Sequence, residues 1–228
     1  MDSKIKSSYL FLILSAGKGT RMKHEQPKAL VPFMGKPLLR HLVDSIKEVG
    51  IGKIGIVISP GANKIQKVFK NEARFIIQPE PRGTGDAVIV ARSIFSEFDS
   101  IAVFVGDSPL IRANTIRNLI SIHDTNKHDI SFLSSTFPIH FPYARVVRDK
   151  NREIIKVVEE ANATYRELLI REYSTSHIVF RSKILISLLD LLHPNPVTEE
   201  INLTDAINIG IEKNFKVEAI HIDDYREL

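Results

Sequence analysis

The chain reads as an α/β protein, a three-layer α/β/α arrangement around a mostly parallel mixed sheet, and three observations predict it. Short continuous apolar runs such as Tyr9–Leu14 and Ile101–Val105 fit strands buried on both faces. Segments with helical apolar spacing lie between those runs. The runs end in glycine, proline and polar residues, where a strand gives way to a loop. Strand and helix in alternation imply β-α-β steps and helices on both faces of one sheet.

Taken in order, the first run, Tyr9 to Leu14, predicts a buried strand. Lys4 and Lys6 before it imitate a secretory leader, but the apolar core is brief and runs into Gly17-Lys18-Gly19-Thr20-Arg21, which is no cleavage flank. A helix is predicted over 38–49 from Leu38, Leu39, Leu42, Val43, Ile46 and Val49, with Pro37 near its start and Gly50 as its stop. Ile54 to Ile58 is a strand ended by Ser59-Pro60-Gly61, then comes a helix from about 62 to 70 and a strand over 74–77. A helix over 83–95 and the strand 101–105 complete a doubly wound first half. Beyond about residue 128 the rhythm turns to strands joined by loops: 130–136, 144–148, 154–159 and 173–181. Helices around 182–192 and 204–212 follow, and a strand over 216–222 is the last element. The 228 residues are expected to make one domain, with a first half at about 9–127 and a second at about 128–222.

Composition narrows the class. Charged residues at 25% and hydrophobic ones at 43% are ordinary for a globular protein. Zero cysteines exclude disulfides, thiolate metal sites and a thiol nucleophile, and fit the cytoplasm most easily. A formal charge of +4 with no run of five Lys/Arg argues against a nucleic-acid partner. No segment nears the roughly 20 apolar residues that span a bilayer, so no membrane partner is expected. His24, His41, His123 and His128 are scattered without ligand spacing and read as surface or helix residues.

Chemistry gathers at strand ends, where open parallel sheets bind ligands. The first strand runs into Ser15-Ala16-Gly17-Lys18-Gly19-Thr20-Arg21, with Pro27-Lys28 five and six residues beyond Met22. Two glycines allow backbone N–H groups to approach a ligand, and Arg21 and Lys28 add two cations, a cradle for a polyphosphate. The strand 74–77 ends in Gln78-Pro79-Glu80-Pro81-Arg82-Gly83-Thr84-Gly85, and 101–105 in Gly106-Asp107-Ser108-Pro109. A strand-end Asp beside a phosphate loop suits Mg²⁺, which takes carboxylate and phosphate oxygens. Each feature has a plainer reading: the loop as a turn, Asp107 as the N-cap of a helix opened by Pro109. Their coincidence at one sheet edge favours the ligand site.

These motifs, together with Gly35-Lys36-Pro37-Leu38, Tyr143-Ala144-Arg145-Val146, Val157-Val158-Glu159-Glu160 and Leu203-Thr204-Asp205, resemble the sugar-1-phosphate nucleotidyltransferases. The likeness is strongest to the uridyltransferase domain of the bacterial bifunctional N-acetylglucosamine-1-phosphate enzymes and covers about 9–222. It implies a Rossmann-like nucleotidyltransferase domain of the MobA-like NTP transferase fold. Ala16, Gly17, Gly19 and Thr20 would bind nucleotide and phosphates, while Arg21 and Lys28 would be catalytic, neutralising the departing pyrophosphate. Gln78 and Gly83 match positions that read a uracil edge, with Thr84 beside them. Asp107 matches a Mg²⁺ ligand. Tyr143, Ala144, Arg145, Glu159 and Ser174 fall on the sugar side. The partners would be a nucleoside triphosphate and a sugar 1-phosphate, in a monomer or small homo-oligomer located in the cytoplasm.

The chain also departs from that pattern. The family's Gly-Tyr-Gly-Arg is here Pro142-Tyr143-Ala144-Arg145, and Ser174 stands where an Asn touches the N-acetylated sugar. Pro81 replaces a polar residue, and Asp86 replaces a histidine beside the base pocket. The family's second metal ligand, an Asn, falls a few residues beyond Leu228, and the hexapeptide-repeat half of the bifunctional enzymes is not in this sequence. UTP-dependent transfer is the leading expectation. Cytidylyl or guanylyl transfer, and a catalytically silent nucleotide-sugar-binding module, stay open beside it.

Overall fold

The computed structural model describes residues 8–17 and 26–228. In chain order its elements are β1 (Tyr9–Leu14), β2 (Pro32–Phe33), β3 (Lys36–Pro37), α1 (Leu38–Val49), β4 (Lys53–Ile58), α2 (Asn63–Phe69), β5 (Arg74–Ile77), α3 (Thr84–Ile89) and β6 (Ser100–Val105). Then come α4 (Ala113–Thr125), β7 (Ile130–Thr136), β8 (Ala144–Arg148), β9 (Ile154–Val158), α5 (Tyr165–Leu168), β10 (Glu172–Arg181), α6 (Ser182–Leu189), α7 (Thr204–Glu212) and β11 (Val217–His221).

The main sheet has the order β11-β7-β10-β6-β1-β4-β5, with β8 pairing β10 and β9. Strands β5, β4, β1 and β6 are parallel neighbours. β10 runs antiparallel to both β6 and β7, and β11 is parallel to β7. Along that path β10 is therefore the one reversed strand, and the sheet is mixed but mostly parallel.

Alternation explains the continuous apolar runs. Along β1, Tyr9, Phe11 and Ile13 face one core layer, while Leu10 and Leu12 face the other. β6 divides the same way, with Ala102 and Phe104 on the first side and Ile101 and Val103 on the second. The first layer packs Leu39, Leu42, Val43 and Ile46 of α1 with Ile116, Leu119 and Ile120 of α4. The second packs α3, α6 and α7 through residues such as Val88, Leu185, Leu188 and Ile207. Burial of both faces removes any polar side from β1 and β6, which is why neither alternates in hydropathy.

The short elements β2, β3 and α5 are not in the sequence reading, and two longer helices also differ from it. The helix read over 83–95 is α3 through Ile89, followed by a 3-10 helix over Arg92–Glu97. The bonding tightens at Ala91 N–H to Val88 C=O and Ile94 N–H to Ala91 C=O, after the β-branched run Val88-Ile89-Val90, which crowds an α-helical turn. Helix α4 is absent from the sequence reading, and Asp107 caps no helix: it sits in a turn six residues before α4 begins.

Candidate active site

The carboxyl ends of the parallel strands are locked side by side by ladder hydrogen bonds that continue into the loops. Ser15 N–H donates to Val57 C=O at 2.8 Å, Gly106 N–H to Leu14 C=O at 2.9 Å, and Gln78 N–H to Ile58 C=O at 2.9 Å. Three loops far apart in sequence thus start in register along one edge. A larger cavity of about 580 Å³ opens there, lined among others by Ser15, Ala16, Gly17, Lys28, Gln78, Gly83 and Asp107. A smaller one of about 340 Å³ adjoins it over β8 and β10, lined by Tyr143, Ala144, Glu159, Ser174, Thr175 and Ser176. Thr84, Val105 and Asp107 belong to both.

On the larger side, neither a positive φ nor packing demands glycine at 17: a Cβ there would meet no described atom within 4 Å. What the missing side chain supplies is room for a ligand to approach the backbone. Gly19, Thr20 and Arg21 lie outside the described residues. Lys28, in a short 3-10 turn over Lys28–Leu30, reaches across to form an ion pair with Asp107.

Gly83 is where backbone geometry is most constrained. Its φ is +110°, and a Cβ would stand 2.4 Å from the Ile201 carbonyl oxygen. The segment before α7 is stapled to this loop: Ile201 N–H donates to Arg82 C=O and Gly85 N–H to Ile201 C=O, both at 2.8 Å. Thr84 takes part, its hydroxyl oxygen accepting from Leu203 N–H at 3.0 Å. Behind the loop the buried Gln78 amide donates to Asp86 Oδ2 at 2.7 Å, and Arg82 donates to Asp86 Oδ1 at 2.9 Å.

On the smaller side, β10 is bulged between Ser174 and Ile178, and Ser176 has a φ of 60°. The bulge turns Ser174, Thr175 and Ser176 toward the cavity. Glu159 accepts from the Thr204 hydroxyl at 2.5 Å, and burial holds its carboxyl above the usual range. Burial raises the neighbouring Asp205 carboxyl as well.

Arg145 does not follow expectation. It is fully buried and lines neither cavity. Its guanidinium donates to Tyr143 C=O and Glu160 Oε2, each at 2.5 Å, and to His140 Nε2 at 2.9 Å, and it lies 5.0 Å from the Tyr173 ring centre. It braces the wall that carries Tyr143 and is not among the residues that line that cavity. Sequence reasoning also missed Glu200 on the larger side and Asn202, Arg226 and Glu227 on the smaller. No local pattern marks them, because each lies outside the motifs that carry the rest of the site and reaches it only through the fold.

No cluster of three or more His, Cys, Asp or Glu side chains that could hold a metal exists among the described residues. Asp107 is nonetheless a half-exposed carboxylate on the rim of both cavities, lining the larger one together with Ala16 and Gly17. One carboxylate completed by phosphate oxygens is a donor set that suits Mg²⁺. No helix among the described residues is long and apolar enough to cross a membrane.

Comparison with known proteins agrees with this geometry. The chain is 36% identical over 217 residues to a bifunctional protein GlmU of Streptococcus mutans, covering 95% of this chain and 47% of that protein. It is 36% identical over 214 residues to the GlmU protein of Clostridium novyi, covering 93% and 47%. The chain thus spans about half the length of the curated relatives it matches. By fold it is similar to a candidate glucose-1-phosphate thymidylyltransferase of Bacillus anthracis solved with sucrose. The TM-score is 0.79 at 17% identity, over 95% of this chain and 87% of that one. A UDP-glucose pyrophosphorylase complexed with UDP-glucose gives a TM-score of 0.76 at 17% identity, over 91% and 88%. The model of the MobA-like NTP transferase domain matches residues 11–175, most of the sequence, and the chain belongs to that family.

Proposed function

We propose that the chain is a Mg²⁺-dependent sugar-1-phosphate nucleotidyltransferase. It joins a nucleoside triphosphate, in the first instance UTP, to a sugar 1-phosphate such as N-acetylglucosamine 1-phosphate and releases pyrophosphate. The observation that carries this reading is the meeting of two cavities at Asp107, one beside the glycine loop and Gln78, the other beside Glu159 and Ser174. Two substrates in those cavities would bring their phosphates together at the shared rim.

No protein nucleophile is needed. A phosphate oxygen of the sugar 1-phosphate bonds to the α-phosphorus, the bond from that phosphorus to the bridging oxygen breaks, and pyrophosphate takes the electron pair. Both reactants are anionic, so the protein's task is positioning and charge stabilisation. Backbone N–H groups of Ala16 and Gly17 face the phosphates, and Lys28 offers an ammonium to the charge building on the leaving group. Arg21 is assigned the same work from its place in the sequence. Asp107 would hold Mg²⁺, which supplies charge neutralisation between the two phosphates. On the acceptor side Tyr143, Ala144, Glu159 and Ser174 shape the sugar pocket, and the short Ser174 hydroxyl leaves more space than an asparagine would.

A panel of UTP, CTP and GTP against several sugar 1-phosphates, scored by pyrophosphate release, tests the reading. Lys28→Ala and Asp107→Asn are expected to lose turnover by about 100-fold or more, while far-UV circular dichroism and Tm stay near native. Near-native rates in both variants would overturn the mechanism. Nucleotide binding with no pyrophosphate from any pair would point instead to a silent binding module.

A further inference from the structure

The buried partner of Gln78 decides which half of its amide a nucleotide meets. Gln78 is only 3% exposed and Asp86 only 2%, so this is an interior contact rather than a surface one. Asp86 Oδ2 accepts from the Gln78 amide nitrogen at 2.7 Å, and the Gly83 carbonyl accepts from the same nitrogen at 3.4 Å. Arg82 donates to the other carboxylate oxygen at 2.9 Å. A carboxylate paired with a guanidinium can only accept, so Gln78 cannot turn its carbonyl toward Asp86 without setting two acceptors against each other. The amide has one allowed orientation. Its Oε1 accepts from no described residue, and Gln78 lines the larger cavity. Beside it no described residue accepts from Gly83 N–H.

We propose that Asp86 is a positioning residue for base selection: it pins the Gln78 amide so that an acceptor faces the nucleotide, and the base bound there must present a ring N–H. The proposal rests on the larger cavity holding the nucleotide, as read above. It separates uracil from cytosine, which have the same ring size and differ at N3. Uracil offers N3–H to Oε1, whereas cytosine sets a lone pair against it. A site built around one hydrogen-bonding polarity rejects the opposite polarity far more strongly than it senses a change of size. Histidine, the family's residue at this position, carries both a donor and an acceptor nitrogen and imposes no such restriction on an amide.

The test is equilibrium binding of UTP and CTP by calorimetry, which does not depend on turnover. Native protein is expected to bind UTP about tenfold or more tightly than CTP. Asp86→Asn keeps the volume but can donate as well as accept, so Gln78 can reverse. That variant is expected to bring the two affinities within about threefold of each other, chiefly by improving CTP. An unchanged ratio in D86N, or a native protein that does not distinguish the two, overturns the inference while leaving the cavity as a nucleotide site. If neither triphosphate binds, the reading of the cavity falls together with the inference. An arm on native protein alone covers a misfolded variant: 3-methyl-UTP lacks the N3–H and is expected to bind about tenfold more weakly than UTP, and equal binding would overturn the inference.

Discussion

Arginine 145 shows how far a residue's type can mislead about its work. Its place on β8, two residues after Tyr143, suggests a sugar contact, yet its described partners are all residues of the protein wall. Replacing it with methionine keeps much of the volume but leaves Glu160 and the Tyr143 carbonyl without their donor. Glu160 is partly exposed and can turn to water, so the loss is that of hydrogen bonds to a charged group, about 1.5–3 kcal/mol. Arg145→Met is therefore expected to lower denaturant stability by about that amount. Where the variant remains folded, the KM for sugar 1-phosphate should change far less than it does on altering Glu159. A large KM effect with native stability would restore Arg145 to the ligand. Gln78 is the converse case: it lines the larger cavity, but only its contact with Asp86 tells which of its atoms is on offer.

At the scale of elements, α1 was fully legible. Its apolar positions repeat at helical spacing, and Pro37 and Gly50 mark its bounds. α4 carries a similar signal in Ile116, Leu119, Ile120 and His123, but a histidine in the buried stripe breaks the hydrophobic count. The split after α3 was illegible because helix spacing continues through Ile94 and Phe95 while the backbone tightens. The α3 entry also yields a prediction. Gly83→Ala adds a Cβ at positive φ and against the Ile201 carbonyl, so either the loop or the 200–203 segment must shift. We expect about 2 kcal/mol or more of lost stability, measured by urea unfolding, and weaker triphosphate binding. A Gly83→Ala protein with native Tm and native nucleotide affinity would contradict this account of the loop.

For the whole molecule, buried histidines are expected to contribute to the loss of stability in acid, beside the ion-paired carboxylates Glu72, Glu167 and Asp224. Burial depresses His123 to about 3 and His177 to about 4, and neither His177 ring nitrogen has a hydrogen-bond partner among the described residues. His123 lies on α4 as a helix residue, buried, with Nδ1 2.9 Å from the Ser131 hydroxyl, and His177 stacks on Phe104 at 5.1 Å. An unfolded histidine titrates near 6.5, so below that pH the unfolded chain takes up protons that the native state refuses. The histidines' contribution is complete above about pH 6.5 and is expected to be lost as the pH falls toward 4. His177→Phe keeps the aromatic stack without a titrating group. The stability lost between pH 7 and pH 5 should shrink by about 2 kcal/mol in this variant relative to native. Equal losses in the two proteins would show that His177 contributes nothing to the acid limb.

Across these scales the division is consistent. By itself the sequence determined the strands, most helices and the loops that carry the chemistry, because burial on both faces and turn chemistry are written in neighbouring residues. Ala16, Gly17, Lys28, Gln78, Gly83 and Asp107 could be named from such local patterns and from the family likeness they build. Only the tertiary structure decided that Asp86 fixes the Gln78 amide, that Arg145 is a brace, that Thr204 reaches Glu159, and that the 200–203 segment clamps the loop at 82–85. Each of those depends on a side chain's direction or on a partner far along the chain. The sheet order and the bulge in β10 set those relations, and neither hydrophobic periodicity nor turn chemistry encodes them.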